Sequence, residues 1–372
     1  MLENPGLLFS IGAFLLLLGP LVFVHEMGHY LVGRWCGVKA EVFSIGFGKE
    51  IFGWYDRLGT RWRVSVLPLG GYVQFAGDMN PASQPDAEWQ NLPDAERNKT
   101  FQSKSLWQRA AIVFAGPAIN FLFAILIFAG FAMVYGKVVT PPVVENVEPG
   151  TAAAEYGLQE GDHILAINGE KIEYFGDIRQ QVAPWPGGEA SLLIERDGAE
   201  LTKTITLGTA YIEDRFGNRS PYGLLGIAPP ERVIEPASLL EAPQIGVEQT
   251  VRVVRFMITT LGQIITGSRS LKELGGPLKI GQVSGERLAA GTAEFVELVA
   301  LISINLGFIN LLPIPMLDGG HLLFYAIEAV RRRPAGPRMQ EWAFRFGLSF
   351  VLLFMVLVTV NDVLSFGLLR VE

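Results

Sequence analysis

Long apolar stretches constrain this chain more than any other feature of its sequence. A membrane-spanning helix needs about 20 mainly apolar residues. Three segments meet this length, at about residues 7–30, 110–135 and 344–363. A further apolar region, at about 295–330, is interrupted by Pro313 and Pro315. Because prolines free backbone groups that lipid cannot satisfy, this break must be packed in protein or line a wet cavity. We therefore predict a multi-pass α-helical membrane protein with four spans, the third of them broken.

Composition agrees with a membrane protein. Hydrophobic residues make up 49% of the 372 residues, charged residues only 18%, and the mean hydropathy is +0.31. These values differ from those of an ordinary soluble globule. The formal net charge of −7 provides no global basic surface, so nucleic acid is not an expected partner. The single cysteine, Cys36, excludes an intramolecular disulfide framework and an all-thiolate zinc site.

Basic residues in the short loops predict the orientation of the spans. Such residues are enriched in loops that face the cytoplasm. They follow the first span and also lie between the third and fourth spans: Arg34, Lys39, Lys49, Arg57, Arg61 and Arg63, then Arg331, Arg332, Arg333 and Arg338. With four spans, both termini and the long segment between spans two and three are then expected on the outer side.

The segment after the second span has a different pattern. Between about 138 and 210, short apolar runs are separated by the pairs Asn168-Gly169 and Asp197-Gly198. These are strand and hairpin signals. The segment is long enough for one small soluble domain inserted between the membrane parts.

A linker at about 211–293 follows this domain, and it contains an amphipathic helix at about 245–265. Its apolar residues recur at spacings of three and four, with polar residues on the other face: Val247, Val251, Val254, Ile258, Leu261 and Ile265 against Glu248, Arg252, Arg255 and Gln263. We expect this helix to lie along the outer interface or to pack on the spans. A fifth span is the alternative. The membrane core thus comprises residues 1–135 and 294–372.

The loop at about 31–107 contains a predicted β-hairpin. Residues 61–66 alternate polar and apolar side chains, and residues 69–72, which include Gly70 and Gly71, can supply a turn. We therefore expect a hairpin beside the first span.

The end of the first span carries the strongest chemical signal. His25, Glu26 and His29 form the pattern H-E-x-x-H, in which residues four apart share one helix face. Both imidazoles can therefore reach one ion while the glutamate approaches a metal-bound water. Ionisable groups at membrane depth are costly and usually functional. The third ligand of soluble metzincins is excluded, because Val32 and Trp35 occupy the required glycine and histidine positions.

Asp318 is the favoured third ligand. Catalytic zinc keeps three protein ligands and one open position, and Asp318 is the carboxylate at the break of the third span. Capping of the helix that starts at Gly319 is the alternative role, since aspartate is a favoured N-cap. His321 is a rival ligand, but on a helix it would point away from the break. We favour a packing role for it, or one that supports the ligands.

The sequence resembles the site-2 protease family of intramembrane zinc metalloproteases, in its bacterial regulator-of-sigma-E protease branch. The resemblance runs nearly end to end. Its motifs are residues 25–29, residues 310–319, the segment 114–120 that opens the second span, and the element 46–48 before the predicted hairpin.

The resemblance implies a set of roles. Zinc is bound by His25, His29 and Asp318, and Glu26 is the general base. Asn310 and the hairpin help to hold the substrate, with Val64, Ser65, Val66, Gly70 and Gly71 as the hairpin candidates. The inserted α+β domain at 138–210 is a PDZ domain. The best-known members of the branch carry two such domains in tandem, whereas only one fits here.

The expected activity is zinc-assisted hydrolysis of a peptide bond inside a membrane. Substrates would be single-span membrane proteins, such as anti-sigma factors, or remnant signal peptides, in the lipid of the bacterial inner membrane. By resemblance, a prior cut on the outer side is expected. Because a helical substrate must first unwind, the edge of the hairpin at 64–66 could capture it by β-augmentation. The PDZ domain would act as a size filter or bind a new C-terminus.

Two other classes of function stay as alternatives. A non-catalytic scaffold with a structural metal site predicts a closed shell of four ligands. A transporter that uses the broken helix predicts an internal repeat of the spans, and we find none in the sequence. A divalent metal other than zinc is a further alternative, because affinity order alone would not favour zinc over copper.

Overall fold

The chain divides into two compact units in a computed structural model. The model describes residues 5–78, 92–213, 219–231, 233–267, 275–333 and 336–365. The first unit comprises residues 1–127 and 275–360, and the second comprises 128–274 and 361–372. Parts of the predicted linker, at 214–218, 232 and 268–274, lie outside the described residues.

Helices form most of the first unit and part of the second. In chain order they are α1 (Leu7–Trp35), α2 (Asp94–Arg97), α3 (Leu106–Tyr135), α4 (Ala152–Glu155), α5 (Phe175–Val182), α6 (Ala242–Ile265), α7 (Pro277–Ala290), α8 (Thr292–Leu311), α9 (Asp318–Arg331) and α10 (Pro337–Ser365). Four of them, α1, α3, α8 and α10, are long and apolar enough to cross a membrane. Within the described ranges no fifth helix meets these criteria, so α6 is not a fifth span by length and composition. The prediction of four spans is confirmed on the same grounds.

The predicted break in the third span is present. The helix α8 ends at Leu311, and α9 begins at Asp318 after a short segment that contains Pro313 and Pro315. Proline has no backbone N–H to donate and restricts the residue before it, which explains why neither helix continues through this segment. The break therefore places an aspartate at the first residue of a new helix.

Two long antiparallel strands, β1 (Ala40–Tyr55) and β2 (Arg61–Phe75), follow α1. Each strand bends and pairs twice. Residues 42–45 of β1 pair with 61–64 of β2 on one side and with 71–74 on the other, while 50–55 pair with 61–65. The result is a compact sheet whose two outer segments are 50–55 and 71–74. Phe43 is fully buried in this sheet and stacks on Trp62.

The predicted hairpin exists with a turn at residues 56–60, and β2 reverses direction a second time between Val64 and Gly71, near the predicted turn. The chain reverses at residues 56–60, where the Asp56 side chain accepts hydrogen bonds from the backbone N–H groups of Leu58 (2.8 Å) and Thr60 (2.9 Å). Such side-chain to backbone bonds are typical of aspartate in turns. Gly70 and Gly71 lie within the range of β2, at the end of its second reversal. A Cβ on Gly71 would lie 2.9 Å from Glu26 Cγ and 2.8 Å from Val22 Cγ1, so this glycine permits close contact with α1.

Val64, the first residue of the predicted segment 64–66, does not lie at a free edge of the sheet, in contrast to our expectation. Val64 pairs with Ile45 on one side and with Phe52 on the other. Ser65 pairs with Glu50, and its side chain is buried against that of Ser44. A substrate strand cannot add where the backbone already has neighbours on both sides, because the required N–H and C=O groups are in use.

The second unit is built on an antiparallel sheet with strand order β6-β5-β7-β8. Its strands are β3 (Lys137–Val138), β4 (Asn146–Val147), β5 (His163–Ile167), β6 (Glu170–Lys171), β7 (Glu189–Arg196), β8 (Ala199–Thr206), β9 (Gly208–Glu213), β10 (Arg219–Leu224), β11 (Ile227–Ala228) and β12 (Ile234–Glu235). Alternate residues of the central strands, including Ile164, Leu192, Ile194 and Ile205, are fully buried in one core. The alternation predicted from sequence is thus the alternation of a sheet with one buried face.

The domain contains an ion pair with a buried carboxylate. Asp162 is fully buried, and both of its oxygens accept hydrogen bonds from Arg196, at 2.6 and 2.7 Å. Burial raises the pKa of this carboxyl, but the hydrogen bonds from Arg196 and from the Gln159 backbone outweigh it and hold the pKa below its usual value. His163, the next residue, begins β5.

The predicted end of the inserted domain at 210 is too early. β9 pairs with β10, β11 pairs with β4 through Ile227 and Val147, and β12 pairs with β3 through Ile234 and Val138. Leu225 is buried in the same core as the sheet. The strands β11 and β12 pair with strands at the start of the domain, many residues earlier in the sequence. Local periodicity in the sequence cannot reveal such long-range pairing.

The amphipathic helix α6 packs within the second unit. Its first turn meets the end of α3, where Ala242 contacts Ala129 and Ala132. Arg252 pairs with Asp177 of α5 at 2.6 Å, and Gln263 donates to the carbonyl oxygen of Pro184. Several apolar residues of α6 are exposed, among them Val247, Val251, Ile258 and Ile265, and the expected place of this face at the outer interface or on the spans stays a prediction. The polar positions of α6 therefore provide its contacts with the β domain.

Candidate metal centre

The two histidines of the H-E-x-x-H pattern lie one turn apart near the end of α1. His25 and Glu26 are each 8% exposed, and His29 is half-buried. The Nε2 atoms of His25 and His29 are 3.3 Å apart. Since residues four apart lie on the same helix face, the helix alone brings these two nitrogens together.

Asp318 completes a cluster with these histidines. Its Oδ2 lies 3.3 Å from His25 Nε2 and 3.6 Å from His29 Nε2. Protein nitrogen and oxygen ligands lie about 2.0–2.2 Å from zinc in a tetrahedral site, so two such ligand atoms are about 3.3–3.6 Å apart. The three observed separations agree with this spacing. Among the residues that the structure describes, this is the group able to hold a metal ion.

The hydrogen bonds around the cluster also fit a metal site. Asp318 Oδ2 is buried and accepts no hydrogen bond. A buried carboxylate oxygen with no donor is costly, and a cation offsets that cost. His29 donates its Nδ1–H to the Ile112 carbonyl at 2.9 Å, which leaves its Nε2 lone pair free to bind a metal. The donor set therefore fits zinc.

The break before α9 positions Asp318. The N-cap of α9 is Leu317, and no side chain caps this helix end. Capping, the alternative role for Asp318, is therefore not what the structure shows. Met316 has a φ of +88°, which is uncommon for a residue other than glycine. Gly319 and Gly320 pack against backbone carbonyls of the break, where a Cβ would clash with Leu311, Leu312 and Ile314.

Gly116 of α3 provides space for the histidines. A Cβ on Gly116 would clash with the His29 imidazole and would lie 2.9 Å from His25 Cε1. On α1, a Cβ on Gly28 would clash with the Ala115 carbonyl. Each helix thus has a glycine where it meets the other helix. Gly116 belongs to a segment that we noted only for its resemblance, because a glycine carries no chemistry that a sequence pattern can indicate.

The remaining predicted site residues are not members of the cluster of His25, His29 and Asp318. His321 is not part of the cluster, and its ring packs against Phe344 with centroids 5.2 Å apart. Asn310 is half-buried near the end of α8, and its role stays a prediction. Gly71 contacts the α1 surface beside Glu26. The roles of Val64, Ser65, Val66 and Gly70 in substrate binding stay predictions.

Comparison with known proteins agrees with this site. The model of peptidase family M50 matches residues 13–354. Relatives from Agrobacterium fabrum and Rhizobium meliloti, both 44% identical, carry "zinc metalloprotease" in their names, and the alignments cover 95% and 98% of each pair of chains. The metalloprotease MmpA of Caulobacter vibrioides is 38% identical over 96% of both chains.

Proposed function

Since this chain belongs to peptidase family M50 and is a zinc metalloprotease, we propose that it cuts its substrates inside the membrane. The substrates are transmembrane segments of single-span membrane proteins, such as anti-sigma factors, or remnant signal peptides. The enzyme lies in the bacterial inner membrane, with the active site towards the cytoplasmic side and the β domain on the outer side.

The convergence of His25, His29 and Asp318 beside Glu26 carries this proposal. The two histidines lie on a helix of spanning length, and Asp318 follows a second helix of that kind. A catalytic zinc site keeps an open position beside three protein ligands, whereas a structural site closes with four. The cluster supplies three ligands from the described chain, which favours catalysis over a scaffold.

The three residues of the cluster and Glu26 have separate roles in hydrolysis. Bound zinc supplies Lewis acidity, which activates water and polarises the scissile carbonyl. His25, His29 and Asp318 hold the ion. Glu26 follows His25 directly and is buried, so its carboxylate can take a proton from the attacking water without competition from bulk solvent.

We propose that the outer segment of β2 at 71–74 holds the unwound substrate, in place of 64–66. Among the described residues this segment pairs with β1 on one side, and a Cβ on Gly71 at its start would lie 2.9 Å from Glu26 Cγ. A strand added along this edge would pass the catalytic carboxylate.

Crosslinking tests this edge. A photoreactive residue at Gln74 is expected to capture substrate, and one at Phe52, on the opposite edge of the sheet, is not. Capture at Phe52 alone would place the substrate on the wrong edge for this proposal.

The β domain of the second unit is proposed to be a single PDZ domain that controls access to the active site. Its antiparallel sheet and short helices agree with a small α+β domain, and the assignment rests on the resemblance in sequence. It acts as a size filter or binds the C-terminus left by an earlier cut on the outer side.

Zinc binding and cleavage by matched variants test the proposed centre. Asp318→Asn is expected to lower zinc affinity at least about 10-fold and to abolish cleavage, because the amide is a poor zinc ligand. His321→Gln is expected to keep both zinc and cleavage. The measurement is zinc content of the purified full chain, together with mass spectrometry of products from single-span reporters truncated on the outer side. Loss of zinc in His321→Gln but not in Asp318→Asn, or product ends outside the span, would contradict the proposal.

A further inference from the structure

Asn120 of α3 is a fully buried polar residue at the metal cluster. Its side-chain nitrogen Nδ2 lies 3.0 Å from His25 Nδ1. The amide oxygen Oδ1 is also buried and has no hydrogen-bond partner among the described residues. A buried amide of this kind is costly unless it is paired. The burial of the Asn120 amide therefore points to an interaction with His25 beside it.

The tautomer of His25 decides what this contact does. If Nε2 binds the metal, the ring proton must sit on Nδ1, and Nδ1 is then a donor. Only the oxygen of the Asn120 amide can accept that proton. A half-turn of the side chain exchanges the amide oxygen and nitrogen. It would place Oδ1 where Nδ2 lies in the structure, next to His25 Nδ1. No other donor competes with His25 for Oδ1 within the structure.

The neighbouring histidine shows the arrangement that zinc binding by His25 Nε2 would require. His29 donates its Nδ1–H to the carbonyl of Ile112, which also belongs to α3. Metal-binding histidines usually donate their second ring N–H to a carboxylate, a carbonyl or water, which fixes the tautomer and the ring orientation. One helix thus carries an oxygen acceptor for each of the two histidines.

We propose that Asn120 is a positioning residue of the metal centre. Its Oδ1 accepts the Nδ1–H of His25, keeps the proton off Nε2 and orients that nitrogen towards His29 and Asp318. This inference rests on the proposed function, since it requires that the cluster binds zinc.

A second contact holds Asn120 in place. Ser303 of α8 is fully buried and donates its hydroxyl hydrogen to the Asn120 backbone carbonyl at 2.8 Å. The helix α8 leads directly into the break that carries Asp318. Asn120 therefore lies between the histidines of α1 and the helix that precedes the third ligand.

The test is the zinc affinity of the full chain, measured by competition with a chromophoric chelator. Asn120→Leu has a similar size but cannot accept a hydrogen bond, and it is expected to weaken zinc binding about 10- to 100-fold. Asn120→Asp can only accept at this site, and it is expected to stay within about 3-fold of wild type. A purely structural role for Asn120 would not produce this difference.

Serine variants provide a matched control. Ser303→Ala removes the support of Asn120 and is expected to weaken zinc binding by a smaller factor than Asn120→Leu. Ser284 is also fully buried, but it donates only to the Ile280 carbonyl of its own helix. Ser284→Ala is therefore expected to leave zinc affinity unchanged.

The other possible results distinguish a failure of the inference about Asn120 from a failure of the proposed function. Zinc affinity of Asn120→Leu within about 3-fold of wild type would overturn the inference, as would equal losses in Asn120→Leu and Asn120→Asp. A wild-type chain that binds no zinc would instead overturn the proposed function.

Nitrogen NMR of the zinc-loaded wild type tests the tautomer without any variant that must fold at this position. The chain has four histidines. His163→Gln and His321→Gln remove the signals of the two that lie outside the cluster, so the remaining signals belong to His25 and His29. We expect the ring proton of His25 on Nδ1, protected from exchange. A proton on Nε2 would overturn the inference.

Discussion

Glu26→Gln is expected to lower cleavage about 100- to 10,000-fold while zinc stays bound. General-base catalysis contributes about this much to enzymatic rates. Glutamine has the shape of glutamate but cannot take a proton from water. Glu26 is not one of the three residues that form the metal cluster, so its replacement leaves the ligands in place. The measurement combines zinc content with the rate of cleavage of a single-span reporter.

The control for this variant is Glu41→Gln, which changes an exposed carboxylate of β1 and should leave cleavage unchanged. Normal cleavage by Glu26→Gln would show that another group acts as the base. Loss of both zinc and cleavage would show that Glu26 supports the metal rather than the water.

Gly116→Ala is expected to disturb the metal centre by crowding its ligands. The added methyl group would clash with the His29 imidazole and crowd His25, so at least one ligand must move. Displacement of a histidine by a few tenths of an ångström spoils the ligand geometry of a zinc site. We expect zinc affinity to fall at least about 10-fold, the size of effect seen when the support of a ligand is lost. The affinity is measured by competition with a chelator.

Gly130→Ala is the matched control for this variant, because Gly130 lies on the same helix and a Cβ there has no neighbour within 4 Å. It should bind zinc as the wild type does. If Gly116→Ala also binds zinc normally, α3 is able to move away from the histidines, and the close approach of the two helices is not required.

Sequence patterns predicted the elements whose cause is local. Spans of about 20 apolar residues, the break at Pro313 and Pro315, and the pairing of His25 with His29 on one helix face all follow from residues close together in the chain. The third ligand was also within reach, since few carboxylates lie in apolar surroundings.

Glycines have two uses in the hairpin region. Gly70 and Gly71 lie where β2 reverses direction, and Gly71 also permits the close approach of α1. The turn at 56–60 depends on an aspartate that accepts backbone hydrogen bonds. Glycine serves both for left-handed turns and for close packing, and a sequence does not distinguish these uses.

The sequence by itself determined that this chain carries a histidine pair able to bind a metal, on a helix long and apolar enough to cross a membrane, because helical spacing and hydropathy are properties of neighbouring residues. Only the tertiary structure decided which residues surround that pair. Asp318 reaches it across nearly the whole chain, Asn120 and Gly116 come from another helix, and β11 and β12 close the inserted domain by pairing with its first strands. These contacts arise from packing between distant segments, and apart from Asp318 at its proline break, the residues that make them carry no signal in their own neighbourhood of the sequence.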